Sequence, residues 1–326
     1  MDNIKVSICV AYYNRSEYVF DCVNSLLNQR YGSFEVIVVN DGSTDKRTAE
    51  ILDSIEDERL KVIHQENTGF VGAIRAAINA AKGEYIAIQG AGDVSAPMRI
   101  AKQAQVLDSE NEVGIVSCLF ENVVFGGEKD GERKKRGYNN EKITPEDFLE
   151  GANPLGHGEV MFRRSLYDNV GGYRSFFRFS QDLDLWLLMI DHCKVKILQE
   201  YLYERRMFMK DGVSTDPQKQ FLQKYLAEFA RQCYRDRRKY GKDLVEQYGH
   251  HAGLFKYPNK QISNLIATRM IQEMNINNVQ NASFYERFAS SEPFTVKLLV
   301  ARVLYYIAQF PFGKKLSSSF IALVKS

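Results

Sequence analysis

The sequence predicts an α/β protein: a mostly parallel central sheet with helices on both faces, followed by an α-helical C-terminal region. Three observations carry this prediction. Apolar runs of strand length alternate with stretches of helical spacing, each run is apolar along most of its length, and polar turn-forming residues stand at the carboxyl ends of the runs. A strand with two apolar faces needs cover on both, and interleaved helices supply it.

The elements follow in order. Residues 4–11 (IKVSICVA) form a strand, and residues 16–30 place Val19, Cys22, Val23, Leu26 and Leu27 on one helical stripe. A second buried strand, 34–39 (FEVIVV), runs into NDGSTD at 40–45, which turns the chain and offers helix caps. A short helix to about Ile55 and a strand over 60–64 come next. Asn67-Thr68-Gly69 opens a helix through about Lys82, with Gly83 as its C-terminal stop, and 84–89 is again a strand. After Pro97 a helix reaches about Ser109, and 113–125 carries strand-like runs. The charged stretch 126–137 (GGEKDGERKKRG) is most simply an exposed hairpin or loop rather than a basic anion site. Residues 182–191 are helical and 195–203 strand-like. From about Asp216 the composition turns helical, with Leu222, Leu226, Phe229 and Cys233 at helical spacing. The expected organisation is one α/β domain over 1–213, with halves of about 1–110 and 111–213, and a helical region over 214–326.

Bulk composition narrows the function classes. A chain of 326 residues, 44% apolar and 26% charged, is long enough for a substantial core. A net charge of +2 gives no global field for nucleic acid, so no nucleic-acid partner is expected. Five cysteines without a CxxC pair fit reduced packing residues. The first residues run into a strand pattern with no signal peptide, and no apolar run approaches the ~20 residues that span a bilayer. The expectation is a cytoplasmic protein.

In an open parallel sheet, ligands bind outside the carboxyl ends of the strands. Three such ends carry polar residues: Tyr12-Tyr13-Asn14, Asn40-Asp41-Gly42 and Gly90-Ala91-Gly92-Asp93. A planar base would stack on Tyr12 or Tyr13, and Asp41 would accept a hydrogen bond from its ring N–H. Asp93 offers a hard oxygen to Mg²⁺ or Mn²⁺. Taken singly, each has a plainer reading: Asp41 turns the chain before Gly42, and Asp93 caps the following helix.

In order, the blocks are VSICVAYYNRSEYVFDCVNSLLNQRYGSFEVIVVNDGSTD, ENTGFVGAIRAAINAAKGEYIAI, GDVSAPMRIAKQAQVL, HGEVMFRRSLYDNVGGYR and SQDLDLWLLM. Together they resemble the family 2 glycosyltransferases over about residues 4–205. The resemblance implies the nucleotide-sugar-binding GT-A fold and a hexosyltransferase-type enzyme of polysaccharide or glycoconjugate assembly at the cell envelope. It also implies an inverting mechanism, a UDP- or dTDP-sugar donor, and a glycan or lipid-linked acceptor. The donor side would comprise Ala11, Tyr12, Tyr13, Asn14, Asp41, Gly42, Asn67, Gly69, Arg75 and Gly92. Asp93 falls on the acid of the DxD-type motif that ligates Mn²⁺ or Mg²⁺, and Asp182 falls on the general base. His157, Gln181 and Trp186 are acceptor-side candidates.

Several positions depart from the pattern. The family commonly reads Asp-Ala-Asp-Asp where this chain has Gly90-Ala91-Gly92-Asp93, so two acids are gone and metal affinity without donor should be weak. Ala11 stands where proline is common, Gln181 where glutamate is, and Ile74-Arg75 where Arg-Asn is frequent. Arg75 is therefore either a phosphate contact or a helix-surface residue. Asp184 is a rival base, and His157 is either an acceptor or phosphate contact or a turn residue. Trp186 is either core or a stacking surface for a sugar, and His250-His251 lacks a third metal ligand. The loss of two acids also motivates a rival function, a catalytically impaired domain that binds nucleotide or glycan as a scaffold. Reading Gly90-Ala91-Gly92 as a dinucleotide fingerprint fails on its missing third glycine. The apolar stretch 293–312, with Lys297, Arg302, Lys314 and Lys315 around it, is either a packed helix, an amphipathic helix on an anionic membrane, or an oligomerisation surface.

Overall fold

The computed structural model describes residues 4–140, 142–151, 153–209 and 216–310. Its strands share one sheet: β1 Val6–Tyr12, β2 Phe34–Asp41, β3 Leu60–Gln65, β4 Tyr85–Gln89, β5 Val94–Ser95, β6 Val113–Phe125, β7 Arg133–Arg136, β8 Lys142–Ile143, β9 Met161–Arg163 and β10 Lys194–Phe208. The order is β3-β2-β1-β4-β9-β6-β10-β5, with β7 on β6 and β8 on β10. β1 runs parallel to β2 and β4, β2 to β3, and β6 to β10, whereas β9 is antiparallel to both its neighbours.

Register decides where a ligand can sit. Tyr12 lies opposite Asn40, and Val10 opposite Gln89, so the carboxyl ends of β1, β2 and β4 end close to level. The three polar segments that follow them therefore share one edge of the sheet. Both faces of β1 are buried, which is why the run is apolar apart from Ser7, whose hydroxyl is hydrogen-bonded to Glu35. Ile8 and Val10 join Val19, Cys22, Val23 and Leu26 of the helix Val19–Leu27 in one core, and the intervening Cys9 is equally buried.

Some boundaries move for local reasons. The helix expected from residue 16 begins at Val19, because Asn14 and Arg15 adopt left-handed φ angles of 56° and 60° and a 3-10 turn over Ser16–Tyr18 follows. The helix Gly69–Ala80 ends before Gly83. Gly83 is not its stop: its N–H donates to Ser7 Oγ (2.8 Å), pinning the chain against β1 as it enters β4. The charged stretch 126–137 closes a hairpin in which β7 pairs antiparallel with β6. β10 extends to Phe208 rather than stopping near 203, because it stays paired with β6 through Phe125.

The chain divides into two compact units, Met1–His250 and His251–Ser326. The helix Pro217–Tyr240, capped by Asp216, belongs to the first. Ser180 Oγ donates to its Gln223 carbonyl (2.8 Å), and its Arg231 Nε donates to the Phe148 carbonyl (2.8 Å). The compositional boundary at 213/214 lies outside the described residues. In the second unit, Ile262, Ile266 and Met270 of the helix Lys260–Asn275 are buried, as are Leu298, Ala301 and Leu304 of the helix Val296–Ala308. The five cysteines are free thiols. Among the described residues no helix is long and apolar enough to cross a membrane.

Candidate functional site

At the carboxyl edge of the sheet, Ala11, Tyr12, Tyr13, Asp41, Asn67, Gly69, Phe70 and Ala73 line one cavity of about 190 Å³. Its size is below the roughly 300–1,000 Å³ of whole drug-sized sites, so it suits one part of a ligand. Asp41, at the end of β2, is buried and held in place. Its Oδ1 accepts from Gln65 Nε2 (2.8 Å), the Thr68 N–H (2.9 Å) and Thr68 Oγ1 (3.1 Å). No described residue donates to its Oδ2. Asn67 Nδ2 donates to the Asp41 carbonyl (2.8 Å). Gly42 sits at φ 64°, with the Asn67 backbone where its Cβ would be, so only glycine lets the two loops close.

The other expected donor residues divide. Tyr13 is 43% exposed beside the cavity, whereas the Tyr12 ring is buried, its hydroxyl donating to the Arg15 carbonyl (3.1 Å). Stacking on Tyr12 is thus excluded by packing, and Tyr13 remains the available face. Asn14 Oδ1 accepts from the Thr44 and Asp45 N–H groups (2.9 and 3.1 Å), making it a strut between loops. Arg75 lies exposed on the helix Gly69–Ala80 and does not line the cavity.

The loop after β4 turns its one carboxylate inward. Asp93 Oδ2 accepts from the Tyr203 hydroxyl (2.6 Å), and Oδ1 accepts from the Arg206 N–H (2.7 Å), so the side chain clamps the loop to β10. A Cβ on residue 90 would fall onto Asp93 Oδ2. Gly90 and the inward Asp93 therefore require one another, and the family's acid at position 90 could not coexist with this conformation. Gly92, at φ 87°, has Phe208 and Tyr18 against it. Burial pushes the Asp93 carboxyl above the ordinary range, opposed by its hydrogen bonds from Tyr203 and the Arg206 N–H and by the charges of Arg205 and Arg15. Among the described residues no group of three His, Cys, Asp or Glu side chains gathers to hold a metal ion. The expected metal ligand is thus a single carboxylate with both oxygens already accepting, which does not fit a preformed ion site.

Among the residues expected on the acceptor side, Asp182 lies in the first turn of the helix Gln181–Met189, next to half-buried Gln181 and after Ser180 at a left-handed φ of 56°. Its Oδ2 accepts from Asn153 Nδ2 (3.1 Å). Burial pushes its carboxyl up, while first-turn N–H groups and Arg205 pull it down. The rival Asp184 is closed off. Arg174 Nε donates to its Oδ2 (2.8 Å), and Arg174 also binds Asp243, which Arg237 binds in turn (2.9 Å). His157 is half-buried between Phe70, Tyr173 and Trp186, with Nε2 2.6 Å from the Tyr173 hydroxyl. Burial lowers its pKa to about 3, so it is neutral. Trp186 has no exposed surface, and its role as a sugar platform is corrected to core packing.

The model of the Glycosyl transferase family 2 family matches residues 7–171. This chain belongs to glycosyltransferase family 2. It is 31% identical over 209 residues to a putative glycosyltransferase, EpsE, of Bacillus subtilis, covering 62% of this chain and 73% of that one. An uncharacterised glycosyltransferase of Methanocaldococcus jannaschii is 28% identical over 233 residues, covering 69% and 78%. Among solved structures, S. aureus TarS residues 1–349 with UDP-GlcNAc aligns at a TM-score of 0.57 and 15% identity, over 97% of this chain and 90% of that one. The mannosyltransferase PcManGT of Pyrobaculum calidifontis, solved with GDP-Man and Mn²⁺, aligns at 0.51 and 17%, over 98% and 84%. These likenesses establish the GT-A fold. Metal use is common in such enzymes, and Mn²⁺ is a feature of that neighbour.

Within the family 2 glycosyltransferase, several residues escaped sequence reasoning. Arg205 acts on both Asp93 and Asp182, lowering each, and its guanidinium binds Glu159 (3.1 Å). One cation thus lies within electrostatic range of both acids. Arg99 is fully buried and donates to Gln89 Oε1 (2.9 Å), Ser95 Oγ (2.8 Å) and the Gly158 carbonyl (3.0 Å). It stitches the loop after β4 to the loop that carries His157. A lone arginine in a polar stretch gives no hint of burial. The signal for Arg205 was its place at a strand's end, visible only once β10 is known to pass Asp93.

Proposed function

We propose that the enzyme transfers a sugar, with inversion, from a nucleoside diphosphate donor to a hydroxyl of a glycan or lipid-linked acceptor. The base would occupy the cavity beside Tyr13, with its ring N–H donating to Asp41 Oδ2 and Asn67 and Gly69 at its rim. The UDP, UDP-GlcNAc and GDP-Man held by the structural neighbours support a nucleotide-sugar donor, and the Asp41 acceptor suits a base with a ring N–H, as uracil and thymine have.

Asp182 is the proposed general base. The observation that carries this is its contrast with Asp184: Asp182 is half-buried with a single side-chain donor, Asn153, whereas Asp184 is sealed by Arg174. A carboxylate raised by burial is a stronger base than one in water. It would take the acceptor hydroxyl proton as that oxygen attacks the anomeric carbon, opposite the departing diphosphate. One carboxylate and one displacement give inversion. The inward Asp93 holds the loop after β4 against β10 beneath the diphosphate, and no step is assigned to a metal. Turnover of UDP- and dTDP-sugars by the wild-type and Asp182→Asn proteins tests the proposal. Nucleotide binding without turnover in the wild type would favour the scaffold reading, which the inward Asp93 and the loss of two acids support.

A further inference from the structure

The helix Val296–Ala308 in the second unit has two apolar faces. One, formed by Leu298, Ala301, Leu304, Tyr305 and Ala308, is buried. The other is not: Val296 is 73% exposed, Leu299 46%, Val303 48%, Tyr306 47%, and Phe310 beyond the helix end 69%. At about 100° per residue these five fall in an arc of roughly 80°, opposite the buried face, along about 20 Å. An exposed apolar strip of that length calls for cover.

Charge says what covers it. Residues 251–326 hold nine Lys and Arg against three Glu, a net +6, while the first 250 residues carry −4 of the chain's +2. The three glutamates are taken up inside the unit, two of them together with Lys256 and Arg302. Glu273 is buried, Glu292 is buried with Lys256 (2.6 Å), and Glu286 is held by Arg302 (3.0 Å). Lys260, Arg287 and Lys297 are exposed. We propose that the second unit docks on an anionic lipid surface, with Val296, Leu299, Val303, Tyr306 and Phe310 entering the headgroup boundary. A second copy of the chain would meet the same positive charge, which opposes pairing. Lys314, Lys315 and Lys325 lie outside the described residues and add only to the charge count.

The test is co-sedimentation of the full chain with phosphatidylcholine vesicles that either contain or lack phosphatidylglycerol. Binding is expected only to the anionic vesicles, falling at least tenfold in about 0.5 M salt. Leu299→Glu with Val303→Glu should lose at least tenfold at unchanged circular dichroism. As a readout that retains an apolar strip, Val303→Trp should show a blue-shifted emission on anionic vesicles. Equal binding to both vesicle types, or full binding by the double variant, would overturn the proposal. So would a dimer seen by light scattering that the double variant abolishes without any vesicle binding. Because the assay reads binding and not transfer, its failure leaves the donor reading untouched.

Discussion

Replacing Asp41 by Asn changes one atom that matters. Asp41 Oδ1 holds Gln65 and Thr68 through three hydrogen bonds, and asparagine keeps that oxygen. Oδ2, which no described residue donates to, becomes an NH₂ donor facing the cavity. If the base N–H donates to Oδ2, the variant loses a hydrogen bond to a charged group, about 1.5–3 kcal/mol. At about 1.4 kcal/mol per decade, UDP binding should weaken by roughly 10- to 150-fold. Calorimetric titration of UDP measures this, with thermal melting confirming that the fold is intact. UDP methylated at the ring nitrogen supplies the complementary deletion. It should bind the wild type weakly, and Asp41→Asn should cost little further affinity for it. Equal UDP affinity in the variant and the wild type would refute the assignment of the base to this cavity.

Three other outcomes are expected. Because burial raises the Asp182 carboxyl above its ordinary 3.8, transfer should fall on an acid limb displaced above the usual carboxylate range. Since the folded value exceeds the unfolded one, this group's contribution to stability is lost as pH rises through that window, so Asp182→Asn should melt higher than wild type at neutral pH. A lower melting temperature would count against it. Arg174→Leu strands the buried Asp184 and leaves Asp243 to Arg237, and should cost about 3–5 kcal/mol in denaturant unfolding; a loss under 1 kcal/mol, on the order of an exposed pair, would contradict the network's role. Mn²⁺ or Mg²⁺ without nucleotide should leave the melting temperature unchanged, because Asp93 is turned inward and stands alone; a clear rise would overturn that description.

Much of the architecture was legible because it rests on burial. Residues 36–39 are apolar at every position, and every residue of β2 is indeed buried. The cavity's Asp41, Asn67 and Gly69 were legible too, since turn residues at strand ends stand out. What sequence could not give was direction. Nothing in Gly90-Ala91-Gly92-Asp93 says that the carboxylate folds back over Gly90, because its partners Tyr203 and Arg206 lie more than a hundred residues away. Arg174, which stands ten residues before Asp184 and 69 before Asp243, was hidden for the same reason of direction: its bonds to both decide between two acids spaced only two residues apart. Trp186 was ambiguous for another reason: an aromatic in an apolar helix fits core and cleft alike until its exposure is known.

Comparing donor affinity with transfer rate in Asp182→Asn probes the central assignment most directly. Donor dissociation should remain within about twofold of wild type, while the single-turnover rate falls by roughly 10²–10⁴, the usual worth of a positioned base. A variant that binds donor normally and transfers sugar at the wild-type rate would contradict the account.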